Sequence, residues 1–141
     1  RQGDQGAQGR GREGRGEGYN VRVYADTDFF IALLKGSDWL KGGAVRLAEE
    51  HAGEITTSEV TFIELMLLAK RYGLDHIRLT SDVMAICGID DSTFLKAATL
   101  ISRHGMGVFD AFHAAHCGGT IISSDSAYDR AGLKRIKLEQ G

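Results

Sequence analysis

The chain has 141 residues, 43% of them apolar and 26% charged, with a formal charge of −2. That length and apolar content give one domain its own core and exclude a disordered chain. The slightly acidic balance argues against nucleic-acid binding carried by net charge alone, and suits a protein that gathers carboxylates around a cation.

Cys87 and Cys117 are the only cysteines and lie far apart in the sequence, so neither a disulfide framework nor a structural zinc site is expected. Unpaired thiols point to a reducing compartment, the cytoplasm. The longest apolar run, Phe29–Leu34, falls far short of the ~18 residues of a membrane span, and no apolar leader is visible. No membrane partner is expected.

Residues 1–18 form a tail rich in Gly, Arg and Gln, and the folded domain is expected over 19–141. Gly9–Gly14 fits the pattern G-x-G-x-x-G, but no strand precedes it and no apolar helix follows, so a dinucleotide loop is rejected. The composition reads as a flexible extension, with an Arg/Gly arm on nucleic acid as the functional alternative.

The domain opens with Val21, Val23 and Ala25 alternating with Arg22 and Tyr24, the pattern of a half-buried strand. Asp26 and Asp28 stand at the junction with an apolar helix from Phe29 to Leu34. Gly36-Ser37-Asp38 makes a turn, and Leu40, Ala44, Leu47, Ala48 and His51 follow helical spacing, with Gly53 as the stop. Glu54–Thr57 predicts a strand. Ser58 predicts the cap of a helix over 59–72, ended by Gly73 with Lys70 and Arg71 in its last turn. Asp75 opens a helix to Cys87, and Gly88-Ile89-Asp90 is a weak strand candidate. Asp91 or Ser92 caps a helix with the stripe Phe94, Ala97, Ala98 and Ile101. A loop between Gly105 and Gly107 precedes the small-residue helix Asp110–Cys117. Thr120–Ser123 predicts a strand, Tyr128–Ala131 a helical turn and Arg135–Leu138 an outer strand. Strands alternating with helices argue a parallel sheet covered on both faces.

The carboxylates carry the chemistry. Asp26 and Asp125 follow strands, where ligands of α/β sheets bind, although an Asp in Asp26's place is also an ordinary helix cap. Glu64 has Val60, Leu67 and Leu68 as its helical neighbours, which sets a charge in the apolar stripe and demands a metal ion or an arginine beside it. Asp110 opens its helix and has a capping role as its simpler explanation. Hard oxygen ligands on such a scaffold suit Mg²⁺ or Mn²⁺, and the expectation is that the acids converge on Asp26. His113, His116 and Cys117 lie on one helix, but a zinc site there is the weaker reading beside a structural one. His51, His76 and His104 stand near helix ends, where solvent and the helix dipole account for them.

Tyr24–Asp28, the helix with Glu64-Leu65, Val108–Ala115 and Ile121–Asp125 together resemble the PIN-domain family, and in particular its small VapC-type toxin ribonucleases. The likeness runs from Val21 to Leu138. It implies a three-layer α/β/α sandwich with a central parallel sheet, and one or two Mg²⁺ or Mn²⁺ ions held by Asp26, Glu64, Asp110 and Asp125. Ser123, Asp28 and Asp129 would be accessories. The implied activity is metal-dependent hydrolysis of RNA. The implied partners are an RNA substrate, an antitoxin protein and a second copy of the chain. Lys70, Arg71, Arg103, Lys134 and Arg135 are candidate phosphate contacts.

Two rival readings remain. A haloacid-dehalogenase-like phosphatase would use Asp26 as nucleophile and Asp28 as acid/base. It expects Thr or Val two residues after the second Asp, where this chain has Phe30, and a later Gly-Asp-x-x-x-Asp that is missing. A non-catalytic module of the same fold would bind RNA or protein without cutting.

Overall fold

A computed structural model describes residues 21–140 of the chain. The tail over 1–18 lies outside the described residues. Helices dominate, and two short parallel strand pairs anchor them. In chain order the elements are β1 (Val23–Tyr24), α1 (Thr27–Leu34), α2 (Lys41–Glu50), β2 (Ile55–Thr56), α3 (Glu59–Tyr72) and α4 (His76–Cys87). Then come α5 (Ser92–His104), α6 (Val108–His116), β3 (Thr120–Ser123), α7 (Ala127–Arg130) and β4 (Lys134–Lys137), with a closing 3₁₀ turn over Leu138–Gln140.

Local chemistry sets most helix ends. Asp75 accepts from the Arg78 N–H at 2.9 Å and Asp91 from the Thr93 N–H at 3.0 Å, each satisfying an orphan donor of a first turn. Gly73, Gly88 and Gly105 end α3, α4 and α5 in the left-handed conformation, at φ 66°, 66° and 65°. The strand considered for 88–90 does not form, because Gly88 closes α4 and the chain turns directly into the Asp91 cap. At the end of α2 the cap is His51, and Gly53 turns the chain two residues later at φ 82°.

The fold is α/β with parallel strand pairing, as expected. β1 pairs with β2, Val23 opposite Ile55 and Tyr24 opposite Thr56. β3 pairs with β4 over four registers, from Thr120 opposite Lys134 to Ser123 opposite Lys137. Among the described residues the ladders stay as these two pairs.

The core lies among α1, α3, α4, α5 and α6. Phe30, Phe62, Leu65, Met66 and Val83 are fully buried, and Phe62 stacks on Phe94 with centroids 4.3 Å apart. Each such side chain contributes about 1.5–3 kcal/mol by leaving water. Ala97, Ala98, Ala111, Ala114 and Ala115 let α5 and α6 approach closely, which fixes the start of α6 against the end of α5. Thr27, Thr61 and Thr80 are the buried polar side chains among the described residues, so the acids sit around the core, not in it.

Candidate functional site

Asp26 follows the carboxyl end of β1 and caps α1: its Oδ1 accepts from the Asp28 N–H at 3.1 Å. Asp26, not Asp28, is the cap. Asp28 lies exposed in the first turn. The next residue, Thr27, is only 8% exposed, and its hydroxyl donates to Glu64 Oε1 at 2.5 Å. That bond ties α1 to α3 and turns one oxygen of Glu64 toward Asp26's end of the helix.

Glu64 itself is exposed, which corrects its expected burial. The buried face of α3 runs through Thr61, Phe62, Leu65, Met66 and Ala69. Val60 and Leu67, the neighbours that suggested an apolar stripe, are 64% and 48% exposed. Apolar neighbours mark a core face only when the core lies on that side of the helix. Ser58 begins α3 but makes no side-chain capping bond; its hydroxyl instead meets the Tyr24 phenol at 2.6 Å, which pulls that phenol's pKa below its usual value. A cavity of about 480 Å³ opens beside Asp26, walled mostly by apolar side chains such as Val23, Phe29, Leu47 and Ile55.

The second pair of acids stands elsewhere. Asp110 lies inside the first turn of α6, whose cap is Gly107, so its carboxylate is not spent on capping. Tyr128, 3% exposed on α7, donates its hydroxyl to Asp110 Oδ1 at 3.3 Å. Burial, reinforced by Asp110 and then Asp125, pushes the Tyr128 pKa up to about 12. The phenol therefore keeps its proton and remains a donor. Asp125 follows β3. Its N–H donates to Ser123 Oγ and its Oδ1 accepts from the Ala127 N–H, both at 2.9 Å, so Ser123 shapes the turn that presents Asp125. Asp110 and Asp125 line one polar cavity of about 430 Å³, together with His104 and Arg130.

Of the other candidates, Asp129 is taken by Arg135, which donates to both its oxygens at 3.0 and 3.1 Å. Those bonds hold the Asp129 pKa below its ordinary value. Arg135 also reaches the Ser123 carbonyl and Glu139, and its side chain is 5% exposed, so it braces β3, α7 and β4 and is not an open phosphate contact. His113 is exposed, His116 bonds Glu59 on α3 at 2.5 Å, and Cys117 donates to the Ala114 carbonyl. No zinc set forms from them among the described residues.

Among the described residues no three His, Cys, Asp or Glu side chains stand together as a group able to hold a metal ion. The expected convergence on Asp26 is present only pairwise: Asp26 and Glu64 joined through Thr27, and Asp110 with Asp125. Like charges repel, and local capping bonds hold Asp26 and Asp125 while single hydroxyl bonds from neighbouring elements hold Glu64 and Asp110. The second pair still fits a hydrated Mg²⁺ or Mn²⁺ by the chemistry of its donors. Such ions keep several waters and take one or two carboxylates plus substrate phosphate oxygens. A cavity of about 430 Å³ has room for an ion with its water.

The family model of the PIN domain matches residues 23–134, a span that contains both pairs. The chain belongs to the PIN-domain family. PIN domains are α/β folds and commonly nucleases, often metal-dependent. No curated protein and no solved structure matches the chain. No described helix of this PIN domain is long and apolar enough to cross a membrane.

Four residues of the site escape a reading of the sequence alone: Thr27, His104, Tyr128 and Arg130. Each lies within about six residues of a candidate acid, which is the one signal that could have raised them. Threonine, histidine, tyrosine and arginine are too common in ordinary roles for that proximity to decide.

Proposed function

We propose that this PIN domain is a Mg²⁺- or Mn²⁺-dependent endoribonuclease, the toxin member of a VapBC-type pair, acting in the cytoplasm. The observation that carries the reading is the cavity at the start of α6, where Asp110 and Asp125 face the same space. Asp125 projects from beyond the carboxyl end of β3 and Asp26 from beyond that of β1, the ends at which α/β sheets bind ligands.

Asp26, Glu64, Asp110 and Asp125 would hold the ion or ions. When bound, such an ion lowers the pKa of a water and neutralises charge on the scissile phosphate. The chain's own residues set the geometry. Tyr128 fixes one oxygen of Asp110 and leaves Oδ2 toward Gly107. Thr27 fixes one oxygen of Glu64. Ser123 orders the turn of Asp125, and the Asp28 N–H orders Asp26. The reaction is hydrolysis: a water oxygen adds to phosphorus, the P–O bond to the sugar breaks, and the proton the water loses is balanced by one gained at the leaving sugar oxygen, which departs as a hydroxyl. It needs no 2′-hydroxyl nucleophile. The family match favours this chemistry over the phosphatase alternative.

An antitoxin or a second copy of the chain would meet exposed apolar side chains. Trp39 is 90% exposed and Leu40 45%, and Val60 and Leu67 on α3 are exposed as well.

The deciding experiment incubates the protein with single-stranded and structured RNA plus Mg²⁺ or Mn²⁺, beside Asp26→Asn. The expected result is cutting by the parent and none by the variant. Cutting that persists in Asp26→Asn, or no cutting of any RNA by the parent, overturns the proposal and leaves a binding module.

A further inference from the structure

The cavity that Asp110 and Asp125 line has a second wall, which carries a guanidinium and an imidazole. Arg130, at the end of α7, and His104, in the last turn of α5, line the same space of about 430 Å³. Two carboxylates alone repel a phosphodiester, so a substrate anion entering this space needs counter-charge on the protein as well as from an ion. A guanidinium offers five donors in a fixed fork that matches two phosphate oxygens.

Arg130 is open to that task where Arg135 is not. Arg135 spends its donors on Asp129, Glu139 and the Ser123 carbonyl. Arg130 makes no ion pair among the described residues and is exposed at the cavity rim. Gly107 completes the opening. A Cβ added there would lie 3.7 Å from Asp110 Oδ2, so glycine leaves that oxygen uncovered while Oδ1 is engaged by Tyr128.

We infer that Arg130 and His104 form the phosphate-holding wall of this cavity, so that a phosphodiester of single-stranded RNA lies between the guanidinium and the two carboxylates. The inference rests on the nuclease reading and adds the substrate contacts to it. It also separates the roles of the two walls: the acids answer to the cation, Arg130 and His104 to the anion.

The test uses the full chain carrying Asp26→Asn, expected to leave RNA uncut, with a short fluorescein-labelled single-stranded RNA in Mn²⁺ buffer. Binding is followed by fluorescence anisotropy over a series of KCl concentrations. Adding Arg130→Ala should weaken binding about fivefold and flatten the plot of log affinity against log salt by about 0.7, the value of one lost phosphate contact on a single strand. Arg130→Lys should restore the slope and only part of the affinity, because charge returns but the fork does not. His104→Ala should act in the same direction with a smaller loss. Arg46→Ala, on α2 and paired with Glu50, should leave affinity and slope unchanged. Mn²⁺ affinity by calorimetry should be the same with and without Arg130.

Equal affinity and slope in the parent and Arg130→Ala overturn the inference. So does an equal loss of Mn²⁺ and RNA binding, which would make Arg130 a support of the fold. If the wild-type chain cuts RNA yet Arg130→Ala binds as its parent does, the phosphate wall fails and the nuclease stands. If the wild-type chain neither binds nor cuts RNA, both fall together.

Discussion

The two halves of the candidate site are built alike and differ in what they face. Each half has a carboxylate beyond a strand end, Asp26 after β1 and Asp125 after β3, and a second carboxylate on a helix, Glu64 on α3 and Asp110 on α6. In each, a buried hydroxyl from another element holds the helix-borne acid: Thr27 on Glu64, and Tyr128 on Asp110. Each space holds an imidazole, His51 beside Asp26 and His104 beside Asp110 and Asp125, but the first is walled mostly by apolar side chains, whereas the second also contains the guanidinium of Arg130. The wiring of the acids is thus shared, and the fixed positive charge belongs to the second half. On the nuclease reading, each half offers a pair of carboxylates to an ion, and the second also seats the phosphate.

Substitutions can break that comparison. The largest effect is expected for Asp110→Asn, with a loss of about a thousandfold in kcat/KM, or ~4 kcal/mol of transition-state stabilisation. The corresponding Glu64→Gln should lose less. Cleavage rates of a defined RNA in Mn²⁺ measure both, and an equal loss would erase the distinction between the halves.

Tyr128→Phe comes next. It removes the donor on Asp110 and keeps the ring in the core, so Mn²⁺ affinity and cleavage should fall about tenfold to a hundredfold, as for partners of metal ligands generally. Thr27→Val should weaken Mn²⁺ binding about tenfold through Glu64, and Thr27→Ser should recover most of it. Calorimetric titration of Mn²⁺ reads both without recourse to activity. Failure of serine to rescue would reduce Thr27 to a packing residue.

A further contrast lies in pH. The folded-state pKa of Tyr128 is raised from 10.0 to about 12. Its contribution to stability is therefore fully present below about pH 10 and is lost as pH rises toward about 12. Urea melts across that window should show an alkaline decline that is shallower in Tyr128→Phe. Thr27 has no ionisable proton in this range, so Thr27→Val should leave the alkaline limb as it is in the parent. The smallest effect is expected for Gly107→Ala. Its backbone, at φ −61°, accepts alanine, and the new methyl would touch Asp110 Oδ2 at an ordinary 3.7 Å. A loss of only about twofold to threefold in cleavage, with unchanged melting, would fit a partly covered oxygen.

Much of the fold was legible residue by residue. Asp75 and Asp91 bond donors within three residues of themselves, and Gly73, Gly88 and Gly105 adopt conformations that glycine allows cheaply. The strand ends carrying Asp26 and Asp125 were equally visible, because β-branched runs and the acids after them are contiguous. Glu64 shows the limit. Helical spacing gave its neighbours correctly, yet could not say on which side of α3 the core would lie.

The sequence by itself determined most of the elements and helix ends and the parallel α/β class, since those depend largely on interactions a few residues long. Only the tertiary structure decided which acids share a space. The Thr27–Glu64 and Tyr128–Asp110 bonds span 37 and 18 residues, and they exist because helix packing brings α1 to α3 and α7 to α6. The same packing assigned one arginine to an ion-pair brace and its near neighbour to a cavity wall. Arg135 bonds the carboxylates of Asp129 on α7 and Glu139, while Arg130, five residues earlier, lines the cavity at the end of α5 and the start of α6.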